Sequence, residues 1–315
     1  MGLIRKEDIH ESLLNSLSNP NLFINGDFRN PVNQRGKTQY TSNSYCIDRW
    51  KKWTDKFTTS VQNGFLRNQG TWIVLLQYLE ESPKIFKKGT VFTMSAKVKC
   101  EKTRQVKFSY YDHTSSQSIG EPCQEITVGT DWKVISHTVT VNVDIVHQNT
   151  AFCIETSWND TDTATLDIEW MKLELGSVTT PFAPRIYAEE LALCQRYFQR
   201  LVIPAIPYVT DTNQLEIPIK LHCSMRKSPT LKWNQLGYLH AVNGSDVKTL
   251  CSDINNPEVE PINNGGDYVA EYYLNLVVSF TITVQEGTLW VINRSPDASN
   301  RLSGPSFLYA DAEIY

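Results

Sequence analysis

Short segments in which apolar and polar residues alternate recur through most of the chain, and this period of two constrains the fold more than any other feature. In residues 91–99 the apolar side chains share one face, and they are Phe92, Met94, Ala96 and Val98. Residues 106–113 repeat the pattern, with Val106, Phe108 and Tyr110 on one face. Successive side chains of an extended strand point to opposite sides, so each segment predicts a strand with one buried face.

The same alternation continues in further segments that are separated by turn residues. It recurs in residues 133–143, 151–158 and 165–175, and the turn cluster NDTD at 159–162 separates the last two. Residues 72–78 are apolar on both faces, which predicts a central strand buried on both sides. Many short strands with turns between them predict a β-sandwich.

Two segments instead place apolar residues at helical spacing. Residues 3–17 predict a short amphipathic helix that ends before Pro20. Because isolated helices shorter than about 12–15 residues are marginal in water, we expect this short helix to dock as an anchor. Residues 188–201 (AEELALCQRYFQRL) predict a second helix, with Glu189 and Glu190 at its start, where the helix dipole favours acids.

The remainder of the chain returns to strand-like segments and predicts a second β-sandwich. Strands are expected at residues 215–224, 272–284, 288–292 and 307–315. Residues 255–267 (NNPEVEPINNGGD) are polar and rich in Pro and Gly, so they predict an exposed loop.

These segments together predict an all-β protein with two β-sandwich or jelly-roll domains joined by a short helix and preceded by a short N-terminal helix. A chain of 315 residues is long enough for two domains of ordinary size. The expected divisions are an N-terminal helical anchor over 1–20, a jelly roll over 21–185, a linking helix over 186–201 and a C-terminal sandwich over 202–315.

The composition argues against several classes of partner. Charged residues make up 20% of the chain and the formal net charge is −4, which gives no polybasic surface for nucleic acid. The sequence has no run of about 18 apolar residues, so no membrane-inserted segment is predicted. Glu7, Asp8 and Glu11 interrupt the segment where a signal peptide would be apolar, so we expect the chain to be assembled in a cytosol. The seven cysteines are scattered singly and are expected to be reduced, mostly buried thiols.

Four polar and aromatic residues predict a sugar-binding surface. The alternation places Tyr111 on the outward face beside Ser109 and His113, and Glu155 is expected to share that surface. Sugar C–H faces stack on aromatic rings while hydroxyl groups pair with polar side chains, which is the combination these residues offer. The alternative is an ordinary polar face of a sheet.

Catalysis is a weaker hypothesis. Glycoside cleavage requires two carboxyl groups about 5–10 Å apart. Asp167 and Glu169 lie two residues apart on one predicted strand, and Glu155 could lie on the same sheet. Outward carboxylates are common on soluble strands, so the chain is predicted not to be an enzyme.

Aromatic residues elsewhere have plainer interpretations. Six tryptophans are expected in the core or at a sheet edge, and they are Trp50, Trp53, Trp72, Trp132, Trp158 and Trp170. The C-terminal domain offers further aromatic residues for a trimer seam or a receptor contact, and they are Trp233, Tyr238, Tyr268, Tyr272, Tyr273 and Trp290.

Several stretches resemble a family of phage and prophage tail-fibre-like proteins. Residues 21–50 (NLFINGDFRNPVNQRGKTQYTSNSYCIDRW) look like the family's start, and residues 172–199 look like its middle hinge. Residues 224–233 and 307–315 are similar to its C-terminal β-domain. Between the first two stretches the chain also resembles a carbohydrate-binding jelly roll, through residues 92–99, 131–141 and 165–176.

The resemblance implies a virion appendage, usually a homotrimer, that attaches to a host cell-surface glycan. It also implies that the N-terminal segment joins other virion proteins and that assembly takes place in the host bacterial cytoplasm. The chain departs from long fibres in having no collagen-like, coiled-coil or β-helical shaft, which implies a compact tip, collar or head-fibre protein. A purely structural virion component and a polysaccharide hydrolase stay as alternatives.

Jelly rolls of this kind often carry a structural calcium ion near their first and last strands. Asp27 and Asp167 stand at suitable positions, and calcium takes hard oxygen ligands. Asp27, within the sequence NGDF, equally suits the cap of a turn. No other cofactor is predicted.

Overall fold

The structure, a computed structural model, describes residues 18–121, 123–202, 208–211, 214–227, 229–233, 238–243, 246–251, 258–263, 269–279, 289–293 and 307–313. The helix predicted for residues 3–17 lies outside them. The chain divides into two compact units, one ending at Cys194 and the other covering Gln195–Glu313. The described residues are all-β apart from two short helices, α1 (Ser82–Ile85) and α2 (Tyr187–Gln195). In this described part of the chain, neither helix has the length and apolar character that would span a bilayer.

The first unit is a sandwich of two antiparallel sheets. Its strands are β1 (Gln39–Tyr40), β2 (Lys51–Lys52), β3 (Phe57–Gln62), β4 (Phe65–Gly70), β5 (Val74–Tyr78), β6 (Val91–Lys99), β7 (Arg104–Asp112), β8 (Gln117–Ser118), β9 (Ile126–Val128), β10 (Lys133–Thr140), β11 (Thr150–Thr156) and β12 (Ala164–Leu175). Sheet I has the order β1-β3-β4-β12-β6-β10. Sheet II has the order β2-β5-β11-β7-β8, and β9 also pairs with β7.

The predicted alternation sets which side chains fill the space between the two sheets. Phe92, on β6 of sheet I, is fully buried, as the sequence predicts. Its ring centroid lies 5.5 Å from that of Tyr110 and 5.6 Å from that of Phe152, both of which belong to sheet II. The two sheets therefore share one hydrophobic core.

Strand β5 confirms the prediction of a segment buried on both faces. It lies inside sheet II, between β2 and β11, and all five of its residues are buried. Leu75 belongs to the core between the sheets. Val74, Leu76 and Tyr78 form a second apolar cluster on the other face, together with Ala151 and Cys153 of β11. The outer face of sheet II is therefore apolar where these residues of β5 and β11 lie.

The described residues of the second unit form three antiparallel sheets. Its strands are β13 (Phe198–Val202), β14 (Tyr208–Asp211), β15 (Gln214–Lys220), β16 (Thr230–Trp233), β17 (Tyr238–Asn243), β18 (Asp246–Cys251), β19 (Glu258–Asn263), β20 (Val269–Ser279), β21 (Leu289–Asn293) and β22 (Phe307–Asp311). The sheet orders are β13-β22-β16, β14-β15-β20-β19 and β18-β17-β21. The predicted strands of the C-terminal region are present with shifted ends.

The helix predicted over residues 188–201 is wrong in its second half. Helix α2 ends at Gln195, and residues Phe198–Val202 form β13, which pairs with β22. The spacing of Phe198 and Leu201 predicts helix, yet both are buried as strand residues. Pairing with a segment more than 100 residues away overrides the local helical pattern.

The loop predicted over residues 255–267 is wrong in its centre. Residues Glu258–Asn263 form β19, which pairs with β20 and lies at the end of its sheet. A proline cannot donate a hydrogen bond to a neighbouring strand, so Pro261 is compatible with this terminal position. The flanking polar residues of the predicted loop lie outside the described residues.

Candidate functional site

A groove of about 550 Å³ lies on the outer face of sheet II. Its lining includes Trp53, Trp72, Ser109, Tyr111, His113 and Glu155. Ser109 and Tyr111 lie on β7, and Glu155 lies on β11. Trp53 follows β2, Trp72 precedes β5 and His113 follows β7. The groove is therefore built by one sheet face and the segments at its ends.

The floor of the groove is apolar because the strands beneath it carry apolar residues on their outer face. Leu76 of β5 lies opposite Cys153 of β11, which lies opposite Ser109 of β7. Val74 lies one step along the same face of β5. Burial raises the pKa of the Cys153 thiol to about 12, so this thiol stays protonated and behaves as a small apolar group at neutral pH.

An aromatic cluster forms one end of the groove. The ring centroid of His113 lies 4.5 Å from that of Trp53, 5.1 Å from that of Tyr111 and 5.7 Å from that of Tyr78. Trp53 and Tyr111 are 38% and 37% exposed, so part of each ring faces solvent. Burial and the nearby Lys51 lower the pKa of His113, and Asp112 opposes them in part. The cluster therefore offers uncharged ring surface at neutral pH.

A charged pair forms the other end. Lys107 of β7 and Glu155 of β11 are directly opposite each other, and Lys107 Nζ lies 3.6 Å from Glu155 Oε1. Lys107 is four residues from Tyr111 along β7, which corresponds to about 13 Å at the rise of a strand. The groove thus runs along the strands from aromatic rings to opposite charges.

The structure brings all four residues of the predicted sugar site to this groove, because Ser109, Tyr111, His113 and Glu155 line it together. Whether they bind sugar stays a prediction. Period-two alternation accounts for the three residues of β7 and its extension, since 109, 111 and 113 share one face. Glu155 joins them through the pairing of β11 with β7.

The sequence interpretation missed Trp53 and Trp72, which were assigned to the core or a sheet edge. Both line the groove, and Trp53 does so directly after β2, the terminal strand of sheet II. The backbone N–H of Trp53 donates to the carbonyl oxygen of Val74, at a distance of 3.1 Å, which fixes Trp53 beside β5. A signal for Trp72 was present: it opens the segment that is apolar on both faces, and only one of those faces can pack in the core.

The other tryptophans divide between buried and exposed positions. Trp50 is fully buried, and Trp170 stacks on Phe182 with ring centroids 4.7 Å apart, as the assignment to core or sheet edge predicts. Trp132 is half-buried beside Phe65, with ring centroids 5.8 Å apart. Trp158 contradicts the assignment, because it is 71% exposed in the turn after β11.

The carboxylates considered for catalysis do not come together. Asp167 and Glu169 lie on β12 of sheet I, whereas Glu155 lies on sheet II, so the expectation of a shared sheet is wrong. Arg67 donates two hydrogen bonds of 2.9 and 2.8 Å to Asp167. Lys97 Nζ lies 2.7 Å from Glu169 Oε2. Asp167 and Glu169 are thus each paired with a cation outside the groove.

The two aspartates predicted to bind calcium are engaged by arginines. Arg29 donates to both carboxylate oxygens of Asp27, at 2.7 and 2.9 Å, and Arg67 does the same at Asp167. Within the described part of the chain, no three His, Cys, Asp or Glu residues form a group that could hold a metal ion. Calcium usually takes six to eight oxygen ligands. Calcium binding stays a prediction that these contacts do not favour.

No protein-family model and no curated protein matches the sequence. Similar solved structures include the CBM22-1 xylan-binding domain of Paenibacillus barcinonensis Xyn10C, at 11% identity over 51% of this chain and 98% of that one, with a TM-score of 0.33. The tandem CBM22-1–CBM22-2 domains of the same protein match at 10% identity over 95% of this chain and 91% of that one, with a TM-score of 0.34.

The N-terminal cellulose-binding domain of Cellulomonas fimi β-1,4-glucanase C is also similar, at 9% identity over 49% of this chain and 97% of that one, with a TM-score of 0.33. These three likenesses are to all-β carbohydrate-binding domains. At TM-scores of 0.33 and 0.34 they assign neither a ligand nor a family to this chain.

Proposed function

We propose that this chain binds a glycan in the groove on sheet II and does not cleave it. The observation that carries the proposal is the arrangement of an aromatic cluster and a charged pair at the two ends of an apolar floor. A pyranose ring has apolar C–H faces and polar hydroxyl groups at its edge. Such a ring can stack on Trp53 and Tyr111 while its hydroxyl groups reach polar side chains.

The dimensions of the groove suit an oligosaccharide of a few units. A volume of about 550 Å³ lies inside the range of roughly 300–1,000 Å³ typical of ligand pockets. The separation of about 13 Å between Tyr111 and Lys107 leaves room for a chain lying along the strands. Ser109 lies midway between these two residues and offers a hydroxyl group to the ligand.

The same lining supports binding over hydrolysis. Glycoside hydrolysis generally uses two carboxyl groups, one as acid and one as base or nucleophile. Glu155 is the one carboxylate among the described residues that line the groove, and Lys107 lies beside it. We therefore propose a role in adhesion rather than in glycan turnover.

The test is a glycan microarray, followed by calorimetry on the glycan that binds best. Trp53→Ala and Tyr111→Ala should each weaken binding about tenfold, because each removes ring surface from the groove. Trp158→Ala is the matched control, since it removes an exposed tryptophan that does not line the groove. Equal binding by all three variants, or silence of the array with the folded wild-type chain, would rule the proposal out.

The wider biological role is a second part of the proposal, supported by the stretches that resemble phage tail-fibre-like proteins. We propose that the chain is a virion appendage, assembled in a bacterial cytoplasm, and that it attaches the particle to a host surface glycan. Its N-terminal segment would join other virion proteins. Three copies presenting weak sites would raise avidity by roughly 10² or more without any new contact.

Light scattering on the full chain tests the trimer directly. A mass of three times 36.0 kDa would support it, and a monomer at micromolar concentration would argue against the appendage model while leaving glycan binding intact. Binding of purified chain to bacterial cells, competed by the glycan found on the array, would separate host attachment from a purely structural role.

A further inference from the structure

The Lys107–Glu155 pair carries an inference about which glycans the groove accepts, and it rests on the function proposed above. We propose that this pair makes the groove selective for uncharged glycans and acts as its specificity determinant. The pair lies at the end of the groove opposite the aromatic cluster, where a bound chain would meet it.

The two charged groups are close but leave hydrogen-bonding capacity unused. Their separation of 3.6 Å exceeds the 2.7–3.2 Å of a protein hydrogen bond. Within the described part of the chain, neither Lys107 Nζ nor the Glu155 carboxylate makes a hydrogen bond. An ammonium group has three donors and a carboxylate has about four acceptor positions, so both can serve a ligand.

Both groups are also reachable. The Lys107 side chain is 33% exposed and the Glu155 side chain is 16% exposed, and both line the groove. A sugar hydroxyl group is both a donor and an acceptor. One hydroxyl can accept a hydrogen bond from Lys107 while that hydroxyl or its neighbour donates one to Glu155.

The charges in the lining sum to zero. Lys107 contributes one positive charge and Glu155 one negative charge, and the lowered pKa of His113 leaves its imidazole neutral near pH 7. A uronic acid placed against the pair meets the Glu155 carboxylate, and an amino sugar meets the Lys107 ammonium. Each of these ligands gains one attraction and one repulsion, whereas a neutral hydroxyl group pairs with both groups.

This cancellation makes a sharp prediction for variants that remove one charge. Glu155→Gln leaves Lys107 uncompensated and should raise the affinity for acidic oligosaccharides relative to neutral ones. Lys107→Met leaves Glu155 uncompensated and should raise the affinity for amino-sugar oligosaccharides. A partly exposed charge pair interacts weakly, so each shift in the affinity ratio should be up to about fivefold.

The probes are three β-1,4-linked hexasaccharides that share a backbone and differ in charge: cellohexaose, a chitosan hexamer and a glucuronate hexamer. They are printed on a microarray beside neutral, acidic and amino glycans of other linkages. The matched control is the Lys97–Glu169 pair, whose side chains are 32% and 17% exposed on the outer face of sheet I. Lys97→Met and Glu169→Gln make the same charge changes away from the groove.

Opposite shifts in charge preference for the two groove variants, with none for the two control variants, are the expected result. The exchanged variant Lys107→Glu/Glu155→Lys should restore the neutral preference. If Trp53→Ala weakens binding but the charge preference is the same in every variant, the pair is not the specificity determinant and the proposed function stands. If the folded wild-type chain binds none of the glycans, the proposed function itself is overturned.

Discussion

The imidazole of His113 lies against the indole of Trp53, with ring centroids 4.5 Å apart and an interplanar angle of 31°. Burial of the imidazole raises the cost of a positive charge at this position, as does the nearby Lys51, so the pKa of His113 is lowered. The contact therefore couples the aromatic end of the groove to the protonation of one side chain.

The lowered pKa of His113 predicts that acid destabilises the first unit. Below pH 6.5, the ordinary histidine pKa, His113 is mostly protonated in the unfolded chain but less so in the folded chain, where its pKa is lowered. Stability that is fully present above pH 6.5 is therefore lost as the pH falls toward the lower pKa of the folded state. Urea unfolding of the wild-type chain at pH 7.5 and pH 5.5 should show a smaller free energy of unfolding at the lower pH.

The variant His113→Gln isolates this contribution, because it removes the titrating group and keeps a side chain of similar size. The variant should lose less stability than the wild type between the two pH values. An unchanged difference would assign the acid sensitivity to other groups. Asp112 is no alternative in this pH range, since its lowered pKa acts below the ordinary value of 3.8.

Replacement of Arg104 by Met should destabilise the protein by about 1–3 kcal/mol, because it leaves buried carbonyl oxygens without their hydrogen-bond donor. Arg104 is 7% exposed and donates to the carbonyl oxygens of Gly70 and Ala164, at 3.0 and 3.1 Å. It also donates to the Asp160 carboxylate at 2.9 Å. Chemical denaturation followed by tryptophan fluorescence measures the loss.

Arg29 provides the comparison for this prediction. It pairs with Asp27 through two hydrogen bonds, yet its side chain is 41% exposed. Exposed pairs contribute roughly 0–1 kcal/mol, so Arg29→Met should change stability by no more than that. Similar losses in the free energy of unfolding for Arg104→Met and Arg29→Met would contradict the expectation that the buried arginine contributes more stability.

The backbone at the start of β3 passes close to Gly70 of β4. Gly70→Ala should therefore lower the free energy of unfolding by about 1–3 kcal/mol. A Cβ at this position would overlap the carbonyl oxygen of Lys56 and lie 2.5 Å from the Cα of Phe57. Gly129→Ala is the control, because a Cβ there would meet nothing within 4 Å. Thermal melts of both variants test the difference, and an equal melting temperature would contradict the crowding at Gly70.

The thiol of Cys153 should resist alkylation in the folded protein. Its side chain is buried beneath the groove, and its raised pKa of about 12 leaves almost no thiolate at pH 8. Cys223 is half-buried and should react faster with iodoacetamide. Peptide mass spectrometry after brief labelling compares the two sites, and urea-unfolded chain, in which all cysteines react, is the reference. Faster labelling of Cys153 would contradict its burial.

Much of the first unit could be predicted from local pattern. The alternation that buries Phe92 and exposes Tyr111 is a property of a few neighbouring residues, so it is readable without tertiary structure. The same reasoning brings Ser109 and His113 to one face. It fails at residues 198–202, where FQRLV suits both a helix and a strand, and distant pairing with β22 decides the outcome.

By itself the sequence determined the class of fold and half of the candidate site, because strand periodicity and the outward residues of β7 depend on short-range geometry. Tertiary structure alone decided that Trp53 and Trp72 face the groove and that Glu155 meets Lys107. Those positions depend on the pairing of β11 with both β5 and β7, segments separated by tens of residues in the chain. No local periodicity encodes such a pairing, since it is selected by how the two sheets bury their shared core.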